Sequence, residues 1–81
     1  MTLRNYRKLA GYITQEQLAN ELGIKRTAIA RWELGAQYPK IHTLTKLAVL
    51  LGIPEREIIA AIDEEKRFRD KVQEFRNSST A

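Results

Sequence analysis

Gly23 separates two short stretches of helical period, and this pair limits the fold more than any other feature of the chain. Residues 15–34 read QEQLANELGIKRTAIARWEL. Two short helices joined by a tight turn must cross closely, so a small residue is needed where the backbones approach. Ala19 supplies it. The turn needs a position of positive φ, which glycine adopts without steric cost, and Gly23 stands there. The pair must also be locked to a third helix, and Leu18, Leu22, Ile24, Ile29 and Trp32 are the apolar residues spaced for that. These features together predict a helix-turn-helix rather than a generic helical hairpin within a bundle.

The helical period continues on both sides. Leu3, Tyr6, Arg7 and Ala10 share a face, and Gly11 is a stop. Thr14 reads as an N-cap, with Gln17 three residues on to complete a capping box. Residues 26–34 form the second helix of the motif, with Ile29 and Trp32 inward and Gly35 at its end. Residues 36–41 contain Pro39 and are expected as an ordered loop. His42 or Thr43 opens a fourth helix with Leu44, Leu47, Ala48 and Leu51 on its apolar face, stopped by Gly52. Pro54 suits the first turn of a fifth helix. Ile58, Ile59 and Ile62 are its apolar residues, and the pattern runs on through Phe68, Val72 and Phe75. Residues 77–81 read as a small, polar, frayed end. The expected fold is all-α: a compact five-helix domain over residues 1–62, and a helical extension with its tail over residues 63–81.

Composition narrows the function. The chain has 81 residues, no cysteine and one histidine, His42. Disulfides, thiolate metal sites and histidine clusters are therefore excluded, and no metal or other cofactor is expected. The carboxylates are scattered over helix surfaces, no glycine-rich phosphate loop is present, and no nucleophile–base pair is indicated, so no catalytic residue is expected and the chain reads as a non-enzyme. His42 reads as a surface residue at a helix start. The longest apolar runs are far too short to span a bilayer, and the N-terminus carries no apolar signal segment, so the expected location is the cytoplasm, away from membranes. The net charge of +4 is not spread evenly. Residues 1–62 carry nine Lys/Arg against five acids, whereas residues 63–81 carry five of each. The positive excess thus belongs to the domain with the helix-turn-helix, which permits nucleic-acid binding without proving it.

At LRNYRK (3–8), TQEQLANELGI (14–24), IARWELG (29–35) and the stretch from Pro39 through LTKLAVLLGI ending at Ile53, the chain resembles the Cro/repressor-type (XRE) helix-turn-helix family of bacterial and phage regulators. The resemblance covers about residues 3–62. It implies a compact five-helix domain with residues 26–34 as the recognition helix in the DNA major groove. Three departures stand out. The family commonly has one residue fewer between the helix-1 arginine, here Arg7, and the glutamine opening helix 2. Lys25 and Lys40 stand where a Ser or Thr N-cap is frequent. Leu34 replaces a usual polar residue.

With Ile29 taken as inward at 100° per residue, Trp32 and Glu33 fall within about 60° of it, and Thr27, Arg31 and Leu34 lie opposite. The resemblance implies entry into the groove by the N-terminal end of this helix. Lys25, Arg26 and Thr27 then lead, with Arg31 a turn later. Arg26 suits a bidentate pair with guanine, and Thr27 a thymine methyl or a single hydrogen bond. Lys25 and Arg31 suit bases or phosphates alike, and Ala30 is small enough to let the helix lie close. The resemblance also implies that Gln15, at the first turn of helix 2, contacts a phosphate and buttresses the recognition helix, and that Lys40 touches the backbone across the groove. Tyr38 or Thr43 adds a hydroxyl there, or Thr43 is only a cap. Glu33 is turned inward, and an unpaired buried carboxylate is costly. By the family analogy, Arg7 is its partner, with Lys8 as the alternative. Trp32 is core.

Phe68, Val72 and Phe75 exceed what a terminal helix needs for its own packing. They form a dimer seam, or the helix folds back on the domain. A dimer matches a two-fold (palindromic) operator on double-stranded DNA. The length suggests no sensor domain, so control through protein abundance or a protein partner is expected rather than a small-molecule inducer. The resulting expectation is a sequence-specific transcriptional regulator, a repressor, acting as a homodimer. Its rivals are an antitoxin-type autorepressor whose C-terminal segment binds a toxin, and a protein-interaction module that keeps the fold without binding DNA.

Overall fold

The computed structural model describes residues 1–79, with side chains through Asn77. Five helices follow in order: α1 (Leu3–Leu9), α2 (Gln15–Leu22), α3 (Arg26–Glu33), α4 (Ile41–Leu51) and α5 (Glu55–Ser79). No strand occurs among the described residues.

Local chemistry explains most helix ends. Thr2 caps α1 through its hydroxyl, which accepts from the Asn5 amide. Thr14 and Gln17 form the reciprocal capping box at α2. Gly23 ends α2 in the left-handed region at φ 68°, and the Ile24 amide reaches back to the Ala19 carbonyl at 3.0 Å. This closes the turn and starts α3 in a new direction. Lys25 and Lys40 are the N-cap residues of α3 and α4, and neither side chain makes a capping hydrogen bond.

The core is one cluster drawn from all five helices. Leu3, Leu18, Ile29, Leu47, Ile58 and Ile62 are its largest fully buried side chains, with Trp32 packed among them. α2 and α3 pack most extensively against each other, and α4 against α5, while α1 touches α3, α4 and α5.

Three expectations are corrected. α4 begins at Ile41, not at His42 or Thr43, because the Lys40 carbonyl accepts the Leu44 amide at 2.8 Å and closes the first turn one or two residues earlier. Thr43 therefore lies inside the helix and is no cap. Pro54 precedes α5, its carbonyl accepting from the Glu57 amide at 3.0 Å. The frayed end expected for residues 77–81 is helical through Ser79, and Thr80 and Ala81 lie outside the described residues.

α5 is one continuous helix, so the boundary expected between residues 62 and 63 is a change of burial and not of backbone. Ile58, Ala61 and Ile62 are buried, and every residue from Lys66 to Asn77 is exposed. A helix of 25 residues is about 37 Å long at 1.5 Å per residue. It accounts for the molecule's long dimension of 45 Å against 22 Å in the other two.

Candidate nucleic-acid interface

α3 turns one face to the core and the other to solvent. Ile29 and Trp32 are buried, whereas Arg26, Thr27 and Arg31 are exposed, with Lys25 just ahead of them. Ala30 is half-buried between the two faces.

The inward edge of α3 is fixed by charge. Glu33 Oε2 accepts from Arg7 Nε at 2.8 Å, with the two side chains only 7% and 3% exposed. Arg7 has further work in the same place. Its Nη1 donates to the carbonyls of Tyr12 and Ile13 at 2.8 and 2.6 Å. One guanidinium thus holds the α1–α2 turn, the segment with the extra residue, and anchors α3 as well. Lys8, the alternative partner of Glu33, is exposed.

The second oxygen of Glu33 leads to the exposed face. Glu33 Oε1 accepts from Gln15 Nε2 at 3.0 Å, and Gln15 Oε1 accepts from Arg26 Nη1 at 3.0 Å. A line of hydrogen bonds therefore runs from Arg7 in the core through Glu33 and Gln15 to Arg26 at the surface. Gln15 uses both ends of its amide, which fixes its orientation. Arg26 spends one N–H on Gln15, and the rest of its planar fork stays available to a ligand. Thr27, Arg31, Lys25 and Lys40 are all exposed, and their side chains make no hydrogen bond or ion pair within the described residues.

The remaining expected residues are placed differently. Tyr38 donates its hydroxyl to Asp63 on α5, and this bond raises its pKa above the usual tyrosine value of 10.0. Its single O–H proton is committed there rather than held out for a phosphate. Thr43 is half-buried in the first turn of α4. Two contacts escaped the sequence. One is the Tyr38–Asp63 bond across 25 residues. The other is the seat of Gly35 on α5, where an added Cβ would stand 2.5 Å from the Lys66 backbone nitrogen. Neither follows from a period, because both depend on how the loop after α3 meets a distant helix.

No group of three or more His, Cys, Asp or Glu among the described residues could hold a metal ion. No described helix is long and apolar enough to cross a membrane.

The helix-turn-helix family matches residues 3–58, which include α1 through α4 and the whole α3 face. The chain belongs to this family, in its Cro/repressor (XRE) form. Among its relatives, the Cryptic phage CTXphi transcriptional repressor RstR of Vibrio cholerae is 33% identical over 61 residues, which is 75% of this chain and 53% of the relative. The HTH-type transcriptional activator BcrR of Enterococcus faecalis is 38% identical over 48 residues, 59% of this chain and 24% of that protein. The HTH-type transcriptional regulator YqaE of Bacillus subtilis is 31% identical over 65 residues, 80% of this chain and 56% of the relative. The chain thus spans about half the length of two of these relatives and a quarter of the third. No solved structure matches it.

Proposed function

We propose that this chain is a DNA-binding transcriptional regulator that represses by placing α3 in the major groove of a two-fold operator, as a homodimer in the cytoplasm, and that it acts by binding and not by catalysis. The observation that carries this reading is the state of the α3 surface. Arg26 is held in place through Gln15, while Thr27, Arg31 and Lys25 beside it have no side-chain partner among the described residues. A side chain tethered at one N–H with its remaining donors outward is prepared for a planar acceptor pair such as guanine O6 and N7.

In this reading Arg26 and Thr27 read base edges, and Lys25 and Arg31 reach bases or flanking phosphates. Gln15 and Lys40 lie on the sugar–phosphate backbone and set the register. Tyr38 joins them only where DNA displaces Asp63 from its hydroxyl. Thr43, half-buried, contributes through its place in the first turn of α4. Repression is favoured over activation because the relative named a repressor aligns with more of this chain than the one named an activator. Dimerisation is supported by Phe68, Val72 and Phe75, which stand exposed on the part of α5 that projects from the domain.

The test is fluorescence anisotropy on a selected duplex and on random duplexes over a salt series. Tight, saturable binding of two chains per selected duplex, much weaker binding to random DNA, and a steep fall in affinity with salt are expected. Absence of binding to either duplex at low salt overturns the proposal in favour of a protein-interaction module.

A further inference from the structure

The exposed apolar side chains at the end of α3 and along α5 form one surface. Gly35 makes this possible. Lacking a Cβ and at φ +72°, it lets the turn after α3 lie against the α5 backbone at Lys66. Leu34, the C-cap of α3, is thereby set beside the projecting half of α5. Leu34, Glu65, Phe68 and Val72 line a common groove of about 420 Å³. Leu34 is 62% exposed, Phe68 68%, Val72 37% and Phe75 73%. Phe68, Val72 and Phe75 continue, at intervals of three and four, the stripe that buries Ile58 and Ala61 nearer the start of the helix. The stripe is core up to Ile62 and then runs on with no part of the described chain over it.

The order of charges says what covers it. The projecting segment opens with Asp63, Glu64 and Glu65 and is followed by Lys66 and Arg67, while Glu74 and Arg76 lie near its far end. Two copies side by side in the parallel sense set each of these charges against its like. Two copies crossing in the antiparallel sense, centred near Asp70, bring Glu64 level with Arg76 and Lys66 with Glu74. The same register sets Phe68 level with Val72 of the other copy, and it opposes like charges only at the centre, Asp70 with Asp70 and Arg69 with Lys71, whereas the parallel sense opposes them along the whole segment. A nucleic acid would meet as many acids as bases on this segment.

We propose that this groove is the self-association surface, occupied by α5 of a second copy in the antiparallel sense, with the second copy's Phe75 seated against Leu34. The C-terminal end of the recognition helix is then itself part of the dimer contact, and the contact is reciprocal, as two-fold symmetry requires. The proposal rests on the homodimer reading and deepens it by adding Leu34 and the sense of crossing.

Sedimentation equilibrium of the full chain without DNA separates the two ideas. Phe75→Ser and Leu34→Asn are each expected to weaken self-association by about tenfold or more, as loss of a central apolar contact does. Both residues are exposed, so circular dichroism is expected to show the helical content of the parent. If Phe75→Ser weakens the dimer and Leu34→Asn does not, dimerisation by α5 stands and the groove proposal is overturned. If neither variant changes the association of a dimeric parent, the groove proposal is overturned while the homodimer reading stands on another surface; if the parent is monomeric, both fall. A second arm fixes the direction. The chain has no cysteine, so the Leu34→Cys/Phe75→Cys double variant is expected to give a covalent dimer on mild oxidation. A covalent dimer formed instead by the single Phe68→Cys variant, with the Leu34/Phe75 pair failing to link, overturns the antiparallel sense.

Discussion

Arg7 and Glu33, 26 residues apart in sequence, meet at 2.8 Å with almost no access to solvent. The pair ties α1 to α3, and Arg7 also holds two carbonyls of the intervening turn. Removing either partner leaves a charge without its counter-ion in a place where water cannot replace it. Glu33→Ala and Arg7→Ala are each expected to cost about 3–5 kcal/mol, a large share of the 5–15 kcal/mol or so that a domain of this kind has to lose. Urea unfolding followed by circular dichroism measures it. A Glu33→Ala midpoint equal to the parent's would mean that the pair is solvated in solution.

Gly23 and Gly35 have nearly the same φ, 68° and 72°, but different surroundings. A Cβ at Gly23 would meet nothing within 4 Å, whereas one at Gly35 would strike the α5 backbone at Lys66 and Glu65. Gly23→Ala is therefore expected to cost only the left-handed conformation, about 1–2 kcal/mol. Gly35→Ala adds a collision with backbone that has no rotamer to escape into, and is expected to cost at least about 1–3 kcal/mol more. Thermal melting of the two variants compares them. Equal losses would show that the approach of α3 to α5 is looser than the structure has it.

The hydroxyl of Tyr38 is held by Asp63, which keeps the phenol protonated to higher pH than usual. A group whose folded pKa is raised adds stability that is complete below the unfolded value, near 10, and is lost as pH rises through the folded value. Tyr38→Phe is thus expected to melt slightly below the parent at pH 8, with the gap closing as pH rises above about 10. The effect is small because the pair is exposed to water. A gap that does not change with pH would mean that the bond is absent in solution.

Residues 14–35 were legible because their chemistry is local. A capping box, a glycine at positive φ and a 3.6-residue period are all properties of neighbours in sequence, and α2 and α3 follow from them. The inward turn of Glu33 was legible for the same reason, since it needs only the phase of one helix. Helix starts without a Ser, Thr, Asp or Asn cap were less so. Ile41 opens α4 behind Lys40, whose side chain gives no capping bond, so the sequence pattern points one or two residues too late. Contacts between distant segments were the least legible. The link from Gln15 to Arg26 joins a side chain on α2 to one on α3, and the family resemblance suggested a buttress there while no period could. Nothing in the sequence pointed Tyr38 at Asp63 or set Gly35 against Lys66.

The link from Gln15 to Arg26 also separates positioning from contact at the DNA. On the proposed reading Arg26→Ala removes a base-edge partner, so it is expected to weaken binding to the cognate site by about 1–3 kcal/mol and to relax preference at one base position. Random DNA is expected to notice it much less. Lys40→Ala is expected to weaken cognate and random DNA alike and to reduce the slope of log affinity against log salt by about one unit, because the proposed phosphate contact and its released counter-ion disappear. Gln15→Ala falls between these. It frees Arg26 to wander and, on the proposed reading, removes a neutral phosphate contact, so it is expected to relax preference at the same base position as Arg26→Ala, more weakly, and to leave the salt slope unchanged because no cation is lost. In the double variant Gln15→Ala/Arg26→Ala, the loss of specificity is expected to be no larger than for Arg26→Ala alone, since Gln15 acts on base choice only through Arg26. Anisotropy on cognate, single-substituted and random duplexes over a salt series measures all four. If the two variants instead relax different base positions, Gln15 touches a base on its own account and its bond to Arg26 is broken in the complex.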